Sequence, residues 1–190
     1  SIPIVLETEN LNYFNEIKNV IKKAEKKTSS YIKDIILINN PENLFEINLS
    51  LYRRLNDTSS INKIFKSLLL ELNHLMNINY NHYDIAHIII DKCIVSDKIY
   101  YKFPFQLNKI DNIKVDFKLI CLPKKFNINI REEFNKINLN IRNFFCTSYT
   151  KTSYYLNKFN YENISFLEIG FNKTTITIYE NNNLKVIYSI

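Results

Sequence analysis

Residues 165–179, SFLEIGFNKTTITIY, hold the only glycine of the 190-residue chain. The apolar run from Phe166 to Ile169 stops at Gly170, and a Thr-bearing alternating run follows from Lys173 to Tyr179. Strand, tight turn and strand are therefore expected in that order. Backbone amides exposed by such a turn can face an anion, and a Thr hydroxyl adds a further donor. Gly170 and Thr174 are thereby singled out for an anion, with a plain hairpin turn as the competing reading.

The rest of the composition explains why one glycine stands out. The chain holds 31 Ile and 29 Asn against two Ala and four Arg, a bias toward residues whose codons are rich in A and T. Asn is the next most tolerant residue of positive φ, so Asn is expected where a less biased chain would carry Gly. A chain of this length, 46% hydrophobic and 14% aromatic, can bury one good core or two modest ones. No apolar stretch approaches the roughly 20 residues that span a bilayer, and the first residues lack the pattern of a secretory signal. A cytoplasmic protein is expected.

Cys93, Cys121 and Cys146 are odd in number, far apart and set in apolar segments, which points to buried free thiols rather than disulfides. His74, His82 and His87 have no metal-ligand spacing, and zinc is not supported. The net charge is +6. The densest basic cluster, Lys18, Lys22, Lys23, Lys26 and Lys27, lies on the polar side of an expected helix with no aromatics interleaved, so a solvated face is preferred to a nucleic-acid stripe.

Along the chain, the apolar spacing predicts a helix from Asn10 to Lys27, closed by Thr28-Ser29-Ser30, and a strand at Ile35–Ile38 that ends at Asn39-Asn40-Pro41. A second strand is expected over 43–51. The segment Asp57-Thr58-Ser59-Ser60 offers N-caps for a helix with Ile61, Ile64, Phe65, Leu68, Leu72, Leu75 and Met76 inward. This helix is expected to pack on strands that include Ile88 and Ile90. Asp84–Ile90 reads as a central strand covered on both faces, with His87 a satisfied core histidine. Further strands are expected over 113–122, 141–146, 165–169, 174–179 and 184–190, with helices over 127–138 and 153–159. Without regular βαβ alternation in the first two thirds, the class is α+β.

Taken in order, these pieces resemble the bacterial cell-division family FtsA, actin-like ATPases that tether the FtsZ ring to the membrane. IKNVIKKAEKKTSSYIKDIILI resembles the family's helix with Ala24-Glu25 in its "KAE" position. DIAHIIIDKCIVSDKIYYKFPFQLN resembles the "ilHvlP…yivDd…ikdPlGm" segment, with His87, Asp97 and Pro104 in place and Gln106-Leu107 where the family has Gly-Met. NIKVDFKLICLP is similar to "rLevkvHivt", and SFLEIGFNKTTITIYENNNLKVIYSI to the phosphate strand and hairpin "viDiGggtTdiaiyenGkl". In that motif Glu168 replaces Asp, Phe171 and Asn172 replace two glycines, and Gly170 and Thr174 match, so the resemblance implies Glu168, Gly170, Asn172 and Thr174 as the candidate nucleotide-phosphate residues.

The resemblance implies an inserted, SHS2-like interaction subdomain joined to part of an actin-like (ribonuclease H-like) lobe. Residues 1–30 would be a helix at the edge of the first lobe, 31–124 the inserted subdomain, 125–163 the return to the first lobe, and 164–190 the hairpin that opens the second. It implies a piece of a longer protein, whose FtsZ-binding pocket and membrane helix would lie beyond Ile190. ATP and magnesium are implied for a protein with both phosphate loops. None is expected for this chain alone, in which one loop is seen. No catalytic residue is assigned, and enzymatic activity stays open. The implied partners are FtsZ, other division proteins and further copies through the inserted subdomain, at the inner face of the membrane, with no nucleic acid. Tyr100, Tyr101 and Phe103 are the candidate contact residues, in an exposed aromatic segment beside Pro104. Two other readings compete: a nucleotide-dependent enzyme or chaperone of the wider actin and Hsp70 superfamily, and an unrelated basic α+β domain that binds nucleic acid.

Overall fold

The computed structural model describes residues 12–40, 44–55, 60–107, 110–170 and 173–190. They form a mixed α+β structure of four helices and nine strands in three sheets. Helix α1 (Asn12–Thr28) buries Ile17 and Ala24 and leaves its lysines in solvent. The Thr28 hydroxyl donates to the Ala24 carbonyl, and Ser29 at φ 51° ends the helix.

Strand β1 (Asp34–Asn39) pairs in parallel with β6 (Asn140–Cys146), from Asp34 opposite Asn140 to Asn39 opposite Cys146. Parallel neighbours need a crossover, and here it holds a whole α+β unit: β2 (Phe45–Arg54), α2 (Ile61–Asn79), β3 (Tyr83–Val95), β4 (Lys98–Tyr100) and β5 (Asn112–Pro123). The sheet order in that unit is β2-β5-β3-β4, all antiparallel. β1 joins β6 and shares a core with α1 and helix α3 (Lys124–Asn135).

Helix α2 stands where its apolar period puts it. Ile64, Leu68, Leu72 and Met76, four apart, are buried against Phe117, Leu119, Val115 and Ile47. Ser60 is its N-cap residue but makes no side-chain cap bond; Asp57, Thr58 and Ser59 lie outside the described residues. One expectation is corrected here. The central, twice-covered strand is β5, whose Phe117 to Leu122 are all buried. β3 lies outside it, and β4 pairs only with Cys93–Val95. Ile90 packs on the α2 core, as expected. Ile88, opposite Leu119, is 39% exposed and does not join that core.

The other face of this sheet carries the rest of the molecule. Leu122 packs with α1 and α3 residues, and Ile120 with helix α4 (Thr147–Phe159) and strand β9 (Asn183–Ser189). The buried Lys118 ammonium donates to the Lys185 carbonyl at 2.5 Å and pairs with Glu46 at 3.3 Å, while Glu46 accepts the Ile187 N–H at 3.1 Å. A buried cation is tolerable only with such partners, and these tie the sheet to β9. Strands β7 (Ile164–Ile169), β8 (Thr174–Glu180) and β9 form the third sheet, with α4 on one face. Asn181 and Asn182, both at positive φ, turn β8 into β9.

Candidate functional site

The turn between β7 and β8 stands at a corner where the ends of β1 and β6 and the first turn of α4 meet. Each backbone arrives there for its own reason: β1 and β6 end in register at Asn39 and Cys146, and α4 starts directly after Cys146. Asn40, just past β1, donates from Nδ2 to the Ser148 hydroxyl at 2.8 Å and accepts the Cys146 thiol at 3.1 Å through Oδ1. Its carbonyl accepts the Lys173 ammonium. The Ser148 hydroxyl lies 3.2 Å from the Glu168 carboxylate, which also pairs with Lys151. The described side chains therefore bring Asn40, Ser148, Lys151, Glu168 and Lys173 together.

The candidate phosphate residues divide as follows. Gly170 donates its N–H to the Lys173 carbonyl at 2.9 Å and does not adopt positive φ. Thr174 exchanges both backbone bonds with Ile190, each 2.9 Å. Glu168 is the anion of this corner, beside the first turn of α4, where the helix dipole favours negative charge. Asn172 lies outside the described residues, as does Phe171. Among the described residues, the Gly170 and Thr174 amides are engaged within the protein. Asn40, Ser148 and Lys151 carry no local sequence signal that would have singled them out.

Beneath the corner lies an aromatic layer. The His87 Nε2 accepts the Cys146 N–H at 2.8 Å, and its ring stacks on Phe145 with centroids 5.5 Å apart and leans on Tyr149 at 4.4 Å. Burial pushes the imidazole down to about 4, so it is neutral at pH 7 and serves as an acceptor, the satisfied core histidine that was expected. Tyr149 stacks on Tyr179, whose hydroxyl lies 3.0 Å from the Ser153 hydroxyl; burial raises the pKa of both phenols. Cys93, Cys121 and Cys146 are buried and form no disulfide. Burial pushes the first two thiols up to about 12. Among the described residues, no three His, Cys, Asp or Glu side chains gather as a metal site.

The aromatic segment is only partly the exposed surface expected of it. Tyr101 is 51% exposed and Tyr100 half-buried, but Phe103 is buried, with its ring 4.5 Å from Phe65 and 4.9 Å from Phe105. Pro104 breaks the extended run, and Phe103 turns inward under α2 to close the end of its core. A groove of about 520 Å³ runs between Tyr100, Tyr101 and Phe105 on one side and Asn181–Asn183 on the other. No helix among the described residues is long and apolar enough to cross a membrane. No protein-family model matches the chain, and no curated protein matches it.

Proposed function

We propose that the chain is a divergent relative of FtsA that works as a scaffold in cell division, by protein contact rather than by chemistry. The observation that carries this reading is the parallel pairing of β1 with β6 across an inserted α+β unit. The ordered resemblance of the segments implied an actin-like lobe interrupted by an interaction subdomain, and this connectivity is what such an interruption requires. The inserted unit has its own core, from Ile47 and Leu68 to Leu119 and Cys121, so it can present a surface independently of the corner at Gly170. In this reading the partners are FtsZ-ring and other division proteins, the place of action is the inner face of the membrane at the division site, and ATP with magnesium belongs to a protein that has both phosphate loops.

The test is capture of division proteins from the source organism by the intact chain and by an Ile99→Asp, Tyr101→Asp double variant. Both side chains are more than half exposed, so the variant should keep the native circular dichroism spectrum. Phe103 is left alone because an aspartate there would be buried without a partner. Division proteins recovered by the native chain and lost by the variant support the scaffold. Recovery of nucleic acid alone, or phosphate release from ATP by the chain, overturns it.

A further inference from the structure

Strand β2 is a sheet edge with none of the usual guards. It is ten residues long and pairs with β5 alone, from Phe45 opposite Cys121 to Arg54 opposite Asn112, without a register shift. The pairing of β3 with β5 shifts twice, and β4, at the other edge of the same sheet, is three residues long. No proline or glycine interrupts β2, and from Ile47 to Tyr52 it carries no charge. Natural edges are protected by shortness, bulges, prolines or charges, because an unguarded edge offers its outer row of backbone N–H and C=O groups to another strand. Among the described residues, no strand takes up that row on β2.

We infer that a second copy of this chain takes it up, the two β2 strands pairing antiparallel about a two-fold axis at Ser50 and joining the two four-stranded sheets into one. The charges select this occupant and this register. The axis stands perpendicular to the sheet, so both α2 helices lie on one side and side chains opposite each other share a face. With the centre at Ser50, each copy's Glu46 stands opposite the other's Arg54, Asn48 opposite Tyr52, and Leu49 opposite Leu51, and no like charges meet. Arg54 is exposed and makes no ion pair among the described residues. Glu46 holds Lys118 but stays partly exposed. A register two residues away in either direction loses both new ion pairs. A foreign strand has no reason to bring an acid to Arg54, whereas β2 itself does so by symmetry, and twice. The inference stands on this edge alone and does not rest on the reading of the chain as a division scaffold.

The test is the mass of the 190-residue chain in solution by light scattering over about 1–100 µM. The native chain should rise with concentration to twice its 22.7 kDa, whereas Ser50→Lys, which sets two lysines side by side on the axis, should stay at the monomer mass. Ser50 is exposed and its hydroxyl bonds Asp116 at 2.5 Å, a carboxylate that lysine can also meet, so the circular dichroism spectrum should be unchanged. The Ile99→Asp, Tyr101→Asp variant should dimerise as the native chain does, which separates failure of the dimer from failure of the scaffold reading. Cysteines read the register. Air oxidation should join two Ser50→Cys chains through a disulfide and leave Tyr52→Cys chains unjoined, because the two copies of that position lie about 14 Å apart along the strands. A native chain that is monomeric throughout overturns the inference, as does a dimer that survives Ser50→Lys or is lost in the β4 variant. Should Ser50→Lys fail to fold, the cysteine pair decides, and cross-linking that does not favour position 50 over position 52 refutes the pairing.

Discussion

The same substitution, leucine to alanine, made two residues apart on α2 should have opposite consequences. Leu68 is fully buried against the β2-β5-β3 sheet, and Leu70 is 72% exposed on the far side of the same helix. At either position three methyl-sized groups are removed. At Leu68 these leave an apolar interior, which costs ~0.8 kcal/mol per group, or about 2.4 kcal/mol, and the space left among Leu72, Phe117 and Leu119 raises the total into the range of ~2–5 kcal/mol. At Leu70 little burial is lost, and alanine's higher helix propensity returns a few tenths of a kcal/mol, so the net change is within about 0.5 kcal/mol. Urea melts followed by circular dichroism at 222 nm measure both. For a chain of this size the Leu68 change corresponds to a fall in Tm of about 2–4 °C per kcal/mol. Equal effects at the two positions would refute the facing direction of α2, and with it the core that holds the inserted unit together.

The buried neutral His87 makes stability depend on pH. Its folded pKa is depressed from 6.5 to about 4, so the unfolded chain binds the proton first; the stabilisation is complete above pH 6.5 and is lost as pH falls toward 4. After allowance for partial solvent access, about 1–2 kcal/mol is at stake, and His87→Phe should flatten the stability profile in that window; an unchanged slope would show that His87 is not the group responsible. The three cysteines, buried and with thiol pKa values raised, should resist Ellman's reagent in the native chain and release three equivalents in 8 M urea; rapid native reaction at Cys93 or Cys121 would show that the sheet opens. A fluorescent ATP analogue with magnesium should show no saturable micromolar binding to this chain, and binding abolished by Gly170→Val would contradict the account of the β7-β8 turn.

Periodicity and turn chemistry carried much of the fold. The four-residue stripe Ile64, Leu68, Leu72, Met76 sufficed to place α2 and its buried face, because a helix that long has one way to hide such a stripe. Asn138, Asn160, Asn181 and Asn182 take positive φ, as do Ser29, Ser96 and Asp97, while Gly170 does not. Composition could say which residue types substitute for glycine, but not which positions needed the conformation. Helix starts were less legible. α4 begins at Thr147, six residues before the Tyr-rich stretch that suggested it, and α3 at Lys124, directly after Pro123.

What the sequence determined by itself was local: the strands and helices, and which side chains share a face. Tertiary structure decided the rest, because it depends on neighbours remote in the chain. β3 and β5 are both long apolar runs, and only the order β2-β5-β3-β4 makes β5 the covered one. The corner joining Asn40 to Ser148 and Lys173 links residues more than a hundred positions apart. Alternation over 174–179 told which residues stand together, yet the choice to bury Thr175 and Thr177 more deeply than Ile176 and Ile178 came from α4 packing on one face of the sheet, and no pattern within a strand encodes which of its faces meets a helix.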